Sequence, residues 1–331
     1  MVAQSYLKQS LMAYNWSRSA VFSLESLPLV TVNRLFNKSD RPPEGYIENV
    51  QASMHELFAF DTSNILNGVY PARVLIPESP GAHLLRYLSI LRDSVRVSRR
   101  RKERQHKDFS ADSLDEYRQS GFPDYYLRNF HYQTDGYLSE KSAEIYDHQV
   151  EILFHGAANA MRRLALFALR EKFSRSDSFH LLELASGAGS TTEQIAKTFP
   201  NAKITCVDLS PYYLKAAQKR LHDFPNIDFV QADASSLPFQ NEQFDAALSV
   251  FLFHEIPKDV RLQVLQEAYR ILKKGGPAVH VDSIQFHDSE NLRWGVENFP
   301  KDFHEPFYKN YVQTPLEEQF LQCGLGAPNK E

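Results

Sequence analysis

Residues 181–190 read Leu181-Leu182-Glu183-Leu184-Ala185-Ser186-Gly187-Ala188-Gly189-Ser190, an apolar run that closes on an acidic residue and a glycine-spaced turn. The run has the length of a buried strand, and such a turn lets backbone N–H groups face a ligand at the start of a helix. A second run, Lys203 to Asp208, ends on an aspartate, and a third, Ile227 to Gln231, is followed closely by Asp233. As neighbouring parallel strands, the three would bring their acidic residues to one carboxyl edge, where open α/β sheets bind ligands.

Outward from this stretch the pattern alternates strand and helix from Phe179 to Ser283. Phe179 to Ala185 forms strand one and about Thr191 to Thr198 a helix. Lys203 to Asp208 is strand two, and Pro211 opens a helix that Pro225 stops. Ile227 to Gln231 is strand three, Phe244 to Phe251 strand four, Lys258 to Leu272 a helix ended by Gly275-Gly276, and Pro277 to Ser283 strand five. The fold class is therefore α/β, a Rossmann-like doubly wound, mainly parallel sheet with strand order 3-2-1-4-5. Thr314 and Pro315 open a last helix that runs to about Cys323 and Gly324.

Upstream the alternation disappears, and a mainly helical N-terminal region is expected over 1–140, with the nucleoside-binding domain over 141–331. Breaks are expected near Pro28, Pro42-Pro43, Pro71, Pro77 to Gly81 and Gly121 to Pro123. One helix is expected from His83 to about Arg104, and one continuous helix from Tyr146 to Arg170. The end of the first is basic: Arg96, Arg99, Arg100, Arg101, Lys102, Arg104 and Lys107. Such a run suits a solvated helix end, with peripheral contact to an anionic membrane as the alternative.

The chain has 331 residues, 43% of them hydrophobic, and a net charge of -4, so nothing draws it globally to nucleic acid. Cys206 and Cys323 are its only cysteines, which suggests neither disulfides nor a cysteine metal site. No metal is expected. No apolar run approaches the roughly 20 residues of a membrane span, and Met1 to Ser10 lacks the order of a secretory signal, so a cytoplasmic location is expected.

The glycine pair alone does not choose a cofactor. A dinucleotide fingerprint would place a third glycine where Thr192 stands. Asp208 suits the two ribose hydroxyls, a role shared with NAD enzymes. Gln231-Ala232-Asp233-Ala234, followed by Leu237-Pro238-Phe239, adds an acceptor for an adenine amino group and a backbone N–H for a ring nitrogen.

With these segments in order (ELASGAGS, VDLSPYYL, FVQADASSLPF, FDAALSVFLFHEIP and EAYRILKKGGPAVHVDS), residues 179–283 resemble the class I S-adenosylmethionine-dependent methyltransferases, in particular the type 11 branch that includes ubiquinone and menaquinone C-methyltransferases. The resemblance implies S-adenosyl-L-methionine as cofactor. It implies that Glu183 holds the methionine amino group, that Ala185, Gly187 and Gly189 let the methionine end approach, that Asp208 and Leu209 meet the ribose, that Asp233 and Ala234 read adenine, and that Phe251 walls the site. The family often has glycine where Ala185 stands. Its members usually close the sheet with two more strands, which the segment from Gly324 to Glu331 does not supply, so a shortened form with strand five at an open edge is expected.

His254 and Glu255 follow strand four and are the catalytic candidates, able to orient or remove an acceptor proton. Tyr132, Tyr137 and Tyr146 could offer aromatic faces to a sulfonium, and Phe303 to Tyr308 could line an acceptor pocket. Asp245 reads as structural. Ser249 to His254 lacks the Asn/Asp-Pro-Pro-Tyr set of amide and base N-methyltransferases, so the expected activity is methyl transfer to a small molecule, with acceptor atom and oligomeric state open. A non-catalytic S-adenosylmethionine-binding module is the alternative, and a nicotinamide-dependent oxidoreductase the more distant one.

Overall fold

In chain order, the helices before the first strand are α1 (Val2–Phe36), α2 (Tyr46–Leu66), α3 (His83–Glu103), α4 (Ala111–Gln119), α5 (Glu140–Leu153), α6 (Ala158–Arg162) and α7 (Leu164–Lys172). Then follow β1 (His180–Leu184), α8 (Ser190–Thr198), β2 (Lys203–Asp208), α9 (Pro211–Arg220), β3 (Ile227–Gln231), β4 (Ala246–Val250), α10 (Lys258–Ile271), β5 (Ala278–Val281), α11 (Arg293–Asp302), α12 (Tyr308–Gln313) and α13 (Leu316–Gln322). This is a computed structural model that describes residues 2–38, 40–76, 80–107, 109 and 111–326.

The strands form one parallel sheet in the order β3-β2-β1-β4-β5, the order read from the sequence. Its two faces are separate apolar layers, which is why β1 is apolar without alternating. Leu182, Leu184 and Ala247 pack with Val264, Leu265, Ala268 and Ile271 of α10. Leu181, Cys206 and Leu248 pack on the other face with Leu166 and Leu169 of α7 and Ile195 of α8. The two-residue period places Glu183 on the same face as Leu181, under α8.

Two sequence expectations fail in the N-terminal half. Helix α1 runs through Pro28 without ending; proline removes one backbone donor, and the remaining helical bonds carry the segment across. The expected continuous helix from Tyr146 to Arg170 is instead three helices, α5, α6 and α7. His155 and Gly156 adopt left-handed φ values of 48° and 79°, and the Gly156 N–H returns to the Glu151 carbonyl at 2.7 Å, a helix-ending turn. A Cβ on Gly156 would lie 3.0 Å from the backbone of Arg18 and Ser19. The close approach of α1 therefore requires glycine there, and apolar periodicity could not register it.

The expected break over Pro77 to Gly81 lies partly outside the described residues, as do residues 327–331 at the C-terminus. The remaining breaks, at Pro42-Pro43, Pro71 and Gly121 to Pro123, fall between helices. Among the described residues no strand pairs with the outer edge of β5. Its faces are covered, with Val279 in the layer under α7 and the His280 ring stacked on Phe320 of α13, centroids 5.2 Å apart.

The basic end of α3 is partly turned inward. The buried Arg100 donates from Nε to the Tyr132 carbonyl at 2.9 Å and from a terminal nitrogen to Thr134 Oγ1 at 2.7 Å. Arg101 lies over the Phe303 ring at 5.0 Å, while Arg96, Arg99 and Lys102 stay exposed. These contacts tie residues 130–134 down beside the carboxyl edge of the sheet.

Candidate functional site

A cavity opens at that carboxyl edge, lined from the sheet domain by Glu183, Ala185, Gly187, Asp208, Asp233 and Phe251 among others. Ala185 and Gly187 both have left-handed backbones, with φ of 52° and 58°. Only glycine takes that region without steric cost, so the Ala185 side chain stands on a strained backbone. Gly189 caps α8 but does not line the cavity; a Cβ there would lie 2.9 Å from Leu221 and 3.2 Å from Ala217. Its smallness serves the packing of the turn against α9.

Asp208 is held by backbone donors: Gly187 N–H to Oδ2 and Ser210 N–H to Oδ1, each at 2.8 Å. Burial still raises its pKa, to about 6, against the pull of those donors. Each oxygen keeps a lone pair for a further donor. Asp233 caps its own turn, accepting from the Ser235 N–H at 2.8 Å. Leu209 and Ala234 also line the cavity. Asp245 bonds the His180 N–H at 2.8 Å and Lys273 at 2.8 Å, far from the ligand edge of the sheet.

Glu183 is buried and accepts from Thr192 Oγ1 at 2.6 Å. Burial lifts its pKa to about 8, opposed by Thr192 and by the charge of Arg162. The position where a dinucleotide turn would need glycine is thus filled by a residue bonded to the carboxyl group. Arg162 and Asp147, which the sequence reading did not single out, also line this end. Asp147 pairs with Arg220 at 2.6 Å and Arg162 at 3.3 Å. Burial works against its charge, but the two guanidinium groups hold its pKa near 2. The adjacent pair Arg162-Arg163, interrupting an apolar stretch, was the available signal.

The segment before α5 forms the opposite wall. Tyr125, Tyr126, Phe130, Tyr137 and Tyr146 line the cavity. The Tyr137 carbonyl accepts from the buried Ser210 Oγ at 2.6 Å, tying this wall to the loop after β2. Tyr132 does not reach the cavity; it is buried against His106 and His304. Burial raises the pKa of Tyr137 and Tyr146 well above the ordinary tyrosine value, so both stay neutral.

Glu255 faces the cavity from the turn after β4, and the Tyr137 hydroxyl donates to its carboxylate at 2.7 Å. His254 is turned away from the cavity lining. Its Nδ1 meets Asp282 at 2.5 Å and its Nε2 lies 3.9 Å from Glu255. Burial disfavours its charge, yet Asp282 outweighs that and lifts its pKa to about 9. On the other side His131 stands between Glu255, at 3.5 Å, and the buried Glu305, at 2.9 Å. Glu305 comes from the Phe303 to Tyr308 segment, whose Tyr308 packs against Phe299 instead.

Of the cofactor-site residues read from the sequence, the structure brings together Glu183, Ala185, Gly187, Asp208, Leu209, Asp233, Ala234, Phe251 and Tyr146 around one cavity, with Glu255 among the lining residues. Gly189 and His254 stand one layer behind.

Residues 181–276 match the family model described as Methyltransferase domain. That segment, with its sheet order and its cavity, is a class I methyltransferase domain, the class that uses S-adenosylmethionine. Among its relatives, the Probable phthiotriol/phenolphthiotriol dimycocerosates methyltransferase 2 of Mycobacterium ulcerans is 39% identical over 103 residues, 31% of this chain and 38% of that protein. The Demethylmenaquinone methyltransferase of Chlorobaculum tepidum is 31% identical over 148 residues, 44% of this chain and 57% of the relative. The Ubiquinone/menaquinone biosynthesis C-methyltransferase of Rhizobium rhizogenes is 33% identical over 143 residues, 41% and 53% of the two chains. The match thus spans between 38% and 57% of these relatives' lengths.

Proposed function

We propose that this chain binds S-adenosylmethionine in the cavity at the carboxyl edge and transfers its methyl group to a small-molecule acceptor. The observation that carries this reading is the convergence of Glu183, Gly187, Asp208, Asp233 and Phe251 on one cavity within a methyltransferase domain. Asp208 accepts from the ribose hydroxyls through its free lone pairs. Asp233 and the Ala234 N–H meet the adenine edge and Leu209 covers a face of the ring, while Phe251, with the Arg162 guanidinium 5.7 Å over its own ring, walls the methionine end. At the methionine end Glu183 receives the ammonium and Arg162 the carboxylate, a pairing of opposite charges that the buried site favours.

The sulfonium is an activated methyl donor, so alignment supplies much of the rate. Tyr146 and its neighbours offer neutral aromatic faces to the sulfonium charge. Glu255 is the catalytic residue, accepting or orienting an acceptor proton, and His254 supports it from behind with Asp282. The relatives' names, which give phthiotriol/phenolphthiotriol dimycocerosates and demethylmenaquinone, support a small-molecule acceptor. The chain works in the cytoplasm, with the helical region over 1–140 and the catalytic domain over 141–331. Among the described residues no helix is long and apolar enough to cross a membrane.

Isothermal titration with S-adenosylmethionine and S-adenosylhomocysteine tests the cofactor, and labelled cofactor incubated with a metabolite extract tests transfer. Micromolar binding of both ligands and label appearing in a small molecule are expected. A folded sample that binds neither ligand would overturn the reading.

A further inference from the structure

The groups behind Glu255 carry an uneven charge. His131 has its two ring nitrogens against two carboxylates, Glu305 at 2.9 Å and Glu255 at 3.5 Å. The Glu305 side chain is fully buried, and its second oxygen has no hydrogen-bond partner. His254 and Asp282 form a second pair that balances itself, and the His254 Nε2 also lies 3.9 Å from Glu255. With His131 charged and both carboxylates ionised, the three carry one net negative charge on the side of the cavity that Glu255 faces, and burial together with the neighbouring Glu255 raises the pKa of Glu305. The backbone is constrained to make this arrangement: His131, Tyr132 and Asp135 have left-handed φ values of 53°, 57° and 63°, unusual for such side chains and characteristic of functional segments.

We propose that Glu255, His131 and Glu305 form a one-proton store, matched to the positive charge that the sulfonium loses and to an acceptor that gives up one proton as it is methylated. The proposal rests on the methyl-donor reading above and deepens it. The S–CH3 bond breaks with its electron pair passing to sulfur, while the acceptor's lone pair, or the carbon conjugated with its ionised hydroxyl, forms the new bond to carbon. The acceptor's proton goes to the Glu255 carboxylate. Before transfer the sulfonium balances the negative cluster; afterwards the thioether of S-adenosylhomocysteine is neutral and the stored proton balances the cluster. The acceptors that fit are those that release one proton as they are methylated: a hydroxyl, a thiol, an N–H group or an acidic carbon. A thioether or tertiary amine releases no proton and would leave the store unused.

Glu255 is the catalytic member, and His131 and Glu305 are positioning residues that act through it. The other titratable groups around the cluster do not mimic it. Tyr126, Tyr137, Tyr146 and Tyr213 are kept neutral by burial. His304, stacked on His106 with ring centroids 4.0 Å apart, is held neutral by burial and neighbouring cations. Glu183 and Asp208 would respond to the ammonium and the ribose, but those groups are common to substrate and product cofactor. A difference between the two ligands therefore reports the groups that feel the sulfonium.

The test is calorimetric binding of S-adenosylmethionine and S-adenosylhomocysteine to the full chain in buffers of different ionisation enthalpy, across pH 6.5–9. A unit charge at ~6 Å, with an effective dielectric constant of about 20, shifts a carboxylate by about two pH units. S-adenosylhomocysteine should accordingly take up as much as about 0.8 of a proton more than S-adenosylmethionine at the midpoint of that window. Glu255→Gln and Glu305→Gln each leave a balanced imidazolium–carboxylate pair, and each should reduce the difference to less than about a third of a proton while both ligands still bind. Equal proton uptake by the two ligands in the unaltered protein overturns the proposal and leaves the methyl-donor reading standing. So does a full difference retained in both variants. Failure of either ligand to bind the unaltered protein removes the methyl-donor reading itself.

Discussion

Replacing Glu183 with glutamine should make the empty protein more stable and its cofactor binding weaker. In the folded chain burial raises the Glu183 carboxyl from its ordinary 4.5 to about 8, so between those values the unfolded chain has lost a proton that the folded chain keeps. A raised acid contributes stability that is complete below the unfolded value and is lost as pH rises toward the folded one. At about 1.4 kcal/mol for each tenfold step, the loss by pH 8 is at most about 5 kcal/mol. Water reaching the carboxylate from the open cavity reduces this, and about 3–4 kcal/mol is expected. Glutamine keeps an oxygen for the Thr192 hydroxyl, which donates to Glu183 at 2.6 Å, and carries no charge to desolvate.

The assay is urea unfolding of both proteins at half-unit steps from pH 6.5 to 8.5, a range above the Asp208 value of about 6. His131 and His254, raised to about 10 and 9, also make stability fall with pH, but they do so equally in both proteins and leave the difference untouched. The variant's advantage should grow by roughly 1 kcal/mol per pH unit up to pH 8 and then level off. Affinity for S-adenosylhomocysteine should fall about ten- to a hundredfold, the worth of a charge-assisted hydrogen bond. A variant less stable than the parent at pH 8.5, with a difference flat in pH, would show that Glu183 is already ionised in the empty site and refute the reasoning.

Other perturbations test the turn, its ligands and the helix break. Ala185→Gly removes a Cβ from a left-handed backbone with φ of 52° and should raise stability by about 0.5–1 kcal/mol in thermal or urea unfolding, with cofactor binding retained. Asp208→Ala leaves the Gly187 and Ser210 N–H groups without their acceptor; a loss of about 1–3 kcal/mol in urea unfolding is expected, and calorimetric titration should show S-adenosylhomocysteine affinity reduced more than tenfold. Gly156→Ala combines a φ of 79° with contacts of 3.0 Å to the α1 backbone. Chemical unfolding should register a loss of at least about 2 kcal/mol, while Ala substituted at the exposed Lys102 should change little.

The sheet was legible because its signals are local. Five apolar runs, the Ser210-Pro211 helix start and the Gly275-Gly276 stop each act within a few residues, and the order of the strands follows from short right-handed connections. The helical half was legible only in outline, since the α5–α6 break depends on α1 passing within van der Waals distance of Gly156. Of the site, Asp208 and Asp233 could be read from their place after strands, whereas the Arg162-Arg163 pair marked only an interruption of an apolar stretch and Asp147 carried no mark, because their ion pairs join α5, α6 and α9.

By itself the sequence determined that this chain carries a parallel sheet, that a glycine-spaced turn lies at its carboxyl edge, and that aspartates at the ends of the second and third strands stand at the same edge. Those conclusions depend on hydrophobic period and turn chemistry, which are properties of neighbouring residues. Only the tertiary structure decided that Ala185 is strained, that Gly189 packs against α9, that His254 stands behind Glu255, and that His131 and Glu305 meet at its back. Such facts depend on which side chains share a low-dielectric space, and groups distant in sequence acquire their charge and their pairing only when folding brings them together.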